Sequence, residues 1–423
     1  MAERIGWGPR PRIYWIPSLV VPVAALLLIG VVTVYSATVL RQGGESGLVL
    51  RHLIAVALGA GVAVLLAWLP PRVIEDVSPF LYGGSLILLV LVLLAGESHG
   101  GAQRWLPLGP LQIQPAEPAK LAFVLFMAHF LGRKRCDLRR LPTLAAALVL
   151  IGAPFLLVVK EPDLGTAMAF PAVGAMMLIW AGLPWGTLAL LASPLVIAIL
   201  AGLRFLSHSS ATGLGLLWIP VVATGAVALR RRGVEWVLVG IFVLVLTAVA
   251  LEVPRLWNHL EPYQQSRVTA FVSPERDPNG AGYQVIQSKI AIGSGCILGR
   301  GFGKGSQKAL SFLPRQHTDF IYSVVGEEFG FGGAAVVLGL FALLLLRALS
   351  LARVIRSRFG ALVAVGVVAL IGYHVVVNIA MTLGMAPVTG LPLPFLSFGG
   401  SFLISCMGAT GLLLGATARR NEY

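Results

Sequence analysis

Ile16-Pro-Ser-Leu-Val-Val-Pro-Val-Ala-Ala-Leu-Leu-Leu-Ile-Gly-Val-Val-Thr-Val-Tyr-Ser-Ala-Thr38 carries no charged residue from end to end. A helix of about 20 apolar residues crosses the hydrocarbon core of a bilayer. This stretch therefore reads as a membrane span. The pattern recurs near 50–69, 79–95, 117–132, 143–159, 164–182, 186–204, 213–229, 234–253, 319–346, 361–384 and 398–418, giving twelve segments in all. The expected fold is all-α, a polytopic transmembrane helical bundle in one domain covering 1–423.

Composition agrees. The chain is 57% hydrophobic and 12% charged, with mean hydropathy +0.86. Soluble domains sit near 45–50% apolar and about 25% charged. The net charge of +14 reads as basic cytoplasmic loops and contact with anionic membrane lipids, not as a nucleic-acid surface. Cys136, Cys296 and Cys406 are too few and too far apart for a disulfide framework or a metal finger. The basic N-terminal residues lead into a run long enough to span, so no cleavable signal is expected.

Basic clusters orient the spans. Arg4, Arg10 and Arg12 precede the first one. Arg133 to Arg140, Arg230 to Arg232, Arg347 to Arg358, and Arg419 with Arg420 each follow an even number of spans. The positive-inside rule then places both termini in the cytoplasm of a cell with a plasma membrane. Four stretches fall outside: Gly96–Pro115, the Lys160–Asp163 corner, the long segment 254–318 and Ala386–Gly400.

Segment 254–318 is a polar island in an apolar chain. It holds Asp277-Pro-Asn-Gly-Ala-Gly-Tyr-Gln284 and the glycines Gly293, Gly295, Gly299, Gly301, Gly303 and Gly305. Glycines permit tight turns and close backbone approach. Val285, Ile286, Lys289 and Ile290 suit a short amphipathic helix at the interface. The loop is basic although it lies outside. A solvated basic face and a surface that attracts an anionic substrate both fit that charge.

Ionisable residues beside spans are costly and mark function. Arg51 opens the second span. Glu117 and Lys120 stand at i and i+3 on one helical face, where they can pair. Asp163 is placed to cap the next helix. His129 and His374 read as packed, hydrogen-bonded residues within apolar runs. Arg51, Arg104, Glu117, Lys120, Asp163, Asp277 and Asp319 all map near outside ends and are expected to share one cavity.

These residues carry a resemblance. Gly101-Ala-Gln-Arg-Trp-Leu106, Gln114 to Lys120, Pro162-Asp-Leu-Gly-Thr166, Asp277 to Gly293, His317-Thr-Asp-Phe320, and Pro392-Leu-Pro394 with Gly399-Gly-Ser401 occur in order. Together they resemble the SEDS family of RodA, FtsW and SpoVE, and the RodA branch most. The resemblance implies a peptidoglycan glycosyltransferase. It would polymerise lipid II on the outer face of the plasma membrane, in cell elongation and rod-shape maintenance, beside a class B penicillin-binding protein. It maps the family's essential aspartate onto Asp277, the general base. Its basic residues map onto Arg51, Arg104 and Lys120, which would neutralise the pyrophosphate. Glu117, Asp163, Gln284, Lys289, His317, Asp319 and Ser401 fall in the same motifs and are taken as substrate-binding. A divalent cation, Mg²⁺ or Mn²⁺, could assist, although no dedicated metal motif is present.

The chain departs from the family pattern in three places. Residues 205–253 look like an added helical hairpin on a core of ten spans. Ala116 and Pro118 alter the run around Glu117. Arg315-Gln316 stands where an acidic residue is usual before His-Thr-Asp. Three other readings fit the sequence: a flippase or transporter of lipid-linked precursor, a division-type polymerase of the FtsW kind, and a scaffold that only recruits a penicillin-binding protein.

Overall fold

The computed structural model describes residues 17–39, 46–99, 102–108, 111–133, 136–207, 218–231, 235–259, 262–273, 275, 280–305 and 316–420. Asp277 lies outside the described residues. The helices are α1 (Pro17–Thr38), α2 (Ser46–Trp68), α3 (Pro71–Ala95), α4 (Ala116–Gly132), α5 (Leu141–Lys160), α6 (Leu164–Trp180), α7 (Trp185–Ser207), α8 (Trp218–Arg231), α9 (Trp236–His259), α10 (Pro262–Val272), α11 (Ala281–Ser294), α12 (Ile321–Ala352), α13 (Arg358–Thr382) and α14 (Gly400–Ala418). Over its described residues, each of the twelve expected spans overlaps one of these helices.

Eight of them are long and apolar enough to cross a membrane. α6 and the apolar stretch Val239–Val253 of α9 are shorter. α4 has 17 residues, which at about 1.5 Å per residue cover roughly 25 Å. That falls short of the roughly 30 Å hydrocarbon core. α4 is nonetheless buried along most of its length, so it packs against protein and need not match lipid.

The polar segment after α3 adds a feature that the apolar pattern did not announce. β1 (Glu97–His99), β2 (Ala102–Leu108) and β3 (Leu111–Ile113) form a small antiparallel sheet in the order β1-β2-β3. Ser98 pairs with Gln103 and Leu106 with Ile113. Strands suit this stretch because it is too short and too polar to span, and pairing satisfies its backbone groups.

The chain divides into two compact units. The first holds residues 1–181 and 284–423, and the second holds Gly182–Tyr283. In the first, α4, α13 and α14 form the interior. α13 and α14 are 72% buried over their apolar windows, against 22–39% for α1, α2, α3, α5 and α12. Small residues let α14 lie close on α2: a Cβ on Gly411 would stand 2.3 Å from the Ala63 carbonyl oxygen. Such residues permit close backbone approach where lipid supplies little drive for association. Arg419 donates to the carbonyls of Ala67, Trp68 and Leu69 at 2.6–3.0 Å. It thereby caps the C-terminus of α2.

In the second unit, α7, α8 and α9 pack around Ile197, Val222, Leu246 and Ala250. α8 falls within the expected hairpin 205–253, and α9 begins in it and runs on to His259.

α12 is broken near its start. Gly330 adopts φ 66°, a left-handed conformation that disfavours side chains. The glycine loop after α11 docks into this break. Arg300 and Gly301 donate backbone N–H groups to the carbonyls of Glu327 and Glu328, each at 3.0 Å. Phe331 and Gly332 donate to Cys296 and Ile297 at 2.8 and 3.0 Å. The docking needs bare glycines, since a Cβ on Gly299 would sit 2.1 Å from the Glu328 carbonyl oxygen. The close approach expected of the glycine loop is thus made to a broken helix.

Candidate active site

α4 begins at Ala116, just after Pro115, and carries Glu117 in its first turn. One turn later Lys120 Nζ donates to Glu117 Oε1 at 2.9 Å, with both side chains almost fully buried. The spacing predicted this pair. The same ammonium donates to Nε2 of His374 on α13 at 2.9 Å and lies 5.6 Å from the centre of the Phe402 ring. Phe402 follows Ser401 at the start of α14, and its ring centre is 4.8 Å from that of His374. A buried cation is stable only when paired and hydrogen-bonded. Here one carboxylate, one imidazole and one ring face meet that need.

Asp163 stands at the N-cap of α6. Its carboxylate accepts from the Thr166 N–H at 3.1 Å and from the Thr166 hydroxyl at 2.9 Å, which is the expected N-cap. Arg104 reaches the same corner from β2. Its Nε lies 3.4 Å from Asp163 Oδ2, and its Nη2 donates to the Pro162 carbonyl at 2.8 Å. Arg104 keeps 19% of its side chain exposed, against 5% for Asp163. The cation is therefore fixed at its root and open at its edge.

Glu161 stands beside this pair, only 1% exposed, and neither carboxylate oxygen has a hydrogen-bond partner among the described residues. Burial pushes its carboxyl up to about 8; Asp163 adds to the rise and Arg104 opposes it.

α13 ties the two clusters together. Tyr373 donates to the Gly165 carbonyl at 2.7 Å, next in sequence to the His374 that meets Lys120. One turn on, Asn378 Nδ2 donates to the carbonyls of Asp319 and Leu391 at 2.8 and 2.7 Å. The segment before α12 is thus bound to the last loop. Ser397 adds to this by donating to Thr318 O at 2.6 Å and accepting from Leu393 N–H at 2.8 Å. Phe398 N–H donates to the His317 carbonyl at 2.9 Å, and the His317 and Phe398 ring centres are 5.8 Å apart.

The structure thus pairs Arg104 with Asp163 and Glu117 with Lys120, links both pairs to α13 through Tyr373 and His374, and ties the carbonyls of His317 and Asp319 to Phe398 and Asn378. Ser401 opens α14 beside Phe402. Lys289 on α11 is exposed, with its amine lying over the bare backbone of Gly384. Gln284 is half-buried on the same helix, which forms over the stretch expected to be amphipathic. Arg51 is exposed on α2 and makes no hydrogen bond or ion pair among the described residues. His374 is packed and hydrogen-bonded, as its apolar surroundings suggested. His129 is less isolated than its sequence context implied: its Nδ1 lies 3.4 Å from Glu75.

Sequence reading passed over Tyr373 and Asn378. Their signal was nonetheless present. His374 and Asn378 stand at i and i+4 on one face of an otherwise apolar span.

No three of His, Cys, Asp and Glu stand close enough to hold a metal ion among the described residues. Asp163 is already taken by Arg104 and Thr166.

Known proteins resemble the chain over nearly all of its length. The family model for FtsW, RodA and SpoVE, described as cell cycle protein, matches residues 17–211 and 212–422. The peptidoglycan glycosyltransferase MrdB of Escherichia coli K12 is 37% identical, over 98% of this chain and 97% of that protein. The peptidoglycan glycosyltransferase RodA of Treponema pallidum is 33% identical, over 95% of this chain and 97% of that one. A structure of a peptidoglycan synthase complex that coordinates polymerization and crosslinking matches with TM-score 0.70 at 34% identity, over 96% of this chain and 98% of that one. The crystal structure of the rod shape determining protein RodA of Thermus thermophilus matches with TM-score 0.63 at 30% identity, over the same shares.

Proposed function

The chain belongs to the FtsW/RodA/SpoVE family of cell cycle proteins, and on that premise we propose how its site works. It is a membrane-embedded peptidoglycan glycosyltransferase that serves cell elongation and rod shape. We place the reaction at the outer membrane face, with both termini cytoplasmic, on the distribution of basic residues. The substrate in this reading is lipid II.

In the scheme, Asp277 takes the proton from the acceptor sugar hydroxyl. That oxygen attacks the anomeric carbon of the donor, and the bond to the pyrophosphate breaks with inversion. The polyprenyl pyrophosphate leaves with the bonding pair. A positioned base contributes typically about 10²–10⁴-fold. Preorganised cations at the developing charge supply a further large share.

The observation that carries this reading is the setting of Arg104. It is rooted by Pro162 and Asp163 yet partly open, as a cation must be to meet a leaving pyrophosphate. Arg51, exposed on α2 and unpaired among the described residues, would join it. Lys120 is buried and already paired, so it supports the site from beneath. Gln284, Lys289, His317, Asp319 and Ser401 remain proposed contacts for the sugar and phosphate groups.

Mg²⁺ or Mn²⁺ enters only as a companion of the substrate's own phosphates. The described residues offer it no cage, and no step is routed through it. A class B penicillin-binding protein is the proposed partner, because a matching structure is of a synthase that coordinates polymerization with crosslinking.

The test is lipid II polymerisation by the purified protein with its partner. Asp277→Ala is expected to make no glycan above background while melting at the unaltered temperature. Polymerisation by Asp277→Ala at the unaltered rate would remove Asp277 as the base.

A further inference from the structure

The second unit contains a cleft that the polymerase scheme does not use. It is lined by Gly186, Ala189 and Ser193 of α7 and by Val221, Gly225 and Ala228 of α8, with a volume of about 430 Å³. That is the size of a small-molecule site. Its wall is apolar in effect as well as in composition. The two hydroxyls that line it are spent on their own helices: Ser193 donates to Leu190 O and Thr224 to Pro220 O, each at 2.6 Å. Small residues on both helices keep the cleft open. No group in the wall asks for a polar ligand, so a hydrocarbon chain fits it.

One end of the cleft is different. Ala228 stands two and three residues before Arg230 and Arg231, which close α8. Arg231 is exposed, and Arg230 lies 4.6 Å from the centre of the Trp236 ring. Trp236 is 69% exposed, and Trp185 at the start of α7 is 70% exposed. Exposed tryptophans mark the level of lipid headgroups. Basic pockets between spans on the cytoplasmic side hold anionic headgroups.

We propose that the α7–α8 cleft is a binding site for an anionic phospholipid of the phosphatidylglycerol class, its acyl chain along the small-residue wall and its phosphate on Arg230 and Arg231. Charge complementarity selects this occupant over a zwitterionic lipid. The site lies at the end of α8 that the positive-inside rule assigns to the cytoplasm. The proposal does not rest on the polymerisation scheme above.

Native mass spectrometry of the full chain, released from detergent with equal phosphatidylglycerol and phosphatidylcholine, reads the occupancy directly. Retained phosphatidylglycerol is expected to exceed phosphatidylcholine at least fivefold. Arg230→Gln with Arg231→Gln should bring the two lipids to parity. Ala189→Phe, which fills the cleft, should lower retention of both. Equal retention by the unaltered chain would overturn the proposal, as would a preference that survives the double substitution. If polyprenyl phosphate displaces phosphatidylglycerol at equal concentration, the cleft belongs to a polyprenyl chain and the proposal is equally lost. Melting temperature and lipid II polymerisation, both expected unchanged in the double variant, show that it is folded.

Discussion

Lys120 Nζ on α4 and His374 Nε2 on α13 lie 2.9 Å apart, in a place where neither residue is more than 2% exposed. An ammonium has only donors. His374 must therefore accept at Nε2 and carry its proton on Nδ1. The contact joins two interior helices and fixes the imidazole in one tautomer.

Lys120→Met is expected to strip Glu117 of its buried partner. Breaking such a pair costs about 3–5 kcal/mol, read as a lower melting temperature in detergent. Adding Glu117→Gln removes the orphaned charge and should recover most of that loss. If the double variant is as unstable as the single one, the pair is not what stabilises this site.

Asp163 has two roles that substitutions separate. Asp163→Asn keeps an oxygen for the Thr166 N–H but loses the ion pair with Arg104. Asp163→Ala loses the cap as well, a further cost of about 1 kcal/mol. Both should lower polymerisation by loosening Arg104. Only Asp163→Ala should also lower the melting temperature clearly. Arg104→Lys should polymerise poorly at unaltered stability, because an ammonium cannot span Pro162 and Asp163 as a planar fork does.

Glu161 gives the fold a pH dependence with a definite sign. Its carboxyl is raised in the folded chain from 4.5 to about 8, so the folded chain holds a proton that the unfolded chain releases. The stabilisation is complete below the unfolded value. It declines as pH rises, and is lost once pH passes about 8. Melting curves between those limits should fall with pH. Glu161→Gln, which stays neutral, should flatten that slope. An identical slope in the variant would assign the dependence to another group.

The glycine loop offers a matched pair. Gly330 has φ 66°, and a Cβ there would stand 2.3 Å from Gly299 N. Gly330→Ala is expected to destabilise by more than about 2 kcal/mol, since the left-handed conformation alone costs roughly 1–2 kcal/mol. Gly293 sits in α11, and a Cβ there would meet nothing within 4 Å. Gly293→Ala should be neutral or stabilise by up to about 1 kcal/mol. Thermal melting of the two variants distinguishes local strain from a general need for glycine.

Helix positions were legible because lipid imposes a simple rule. A segment without water must satisfy its own backbone, so apolar length alone marks a span. The Glu117–Lys120 pair and the Asp163 cap were legible for a related reason, since both depend only on spacing within one helix. The docking of Arg300 and Gly301 on the break in α12 was not. It depends on a backbone conformation at Gly330, far along the chain, that no local pattern announces.

By itself, then, the sequence determined the spans, their basic flanks and the motifs that place the chain in its family. Only the tertiary structure decided which polar groups meet. It joined Lys120 to His374 across 254 positions and Asn378 to Asp319 across 59. It also left Glu161 buried without a hydrogen-bond partner among the described residues. The physical reason is range. Hydropathy, spacing and capping act within a turn or along one helix. The pairing of buried charges depends instead on which helices share an interior, and that is settled by packing over the whole bundle.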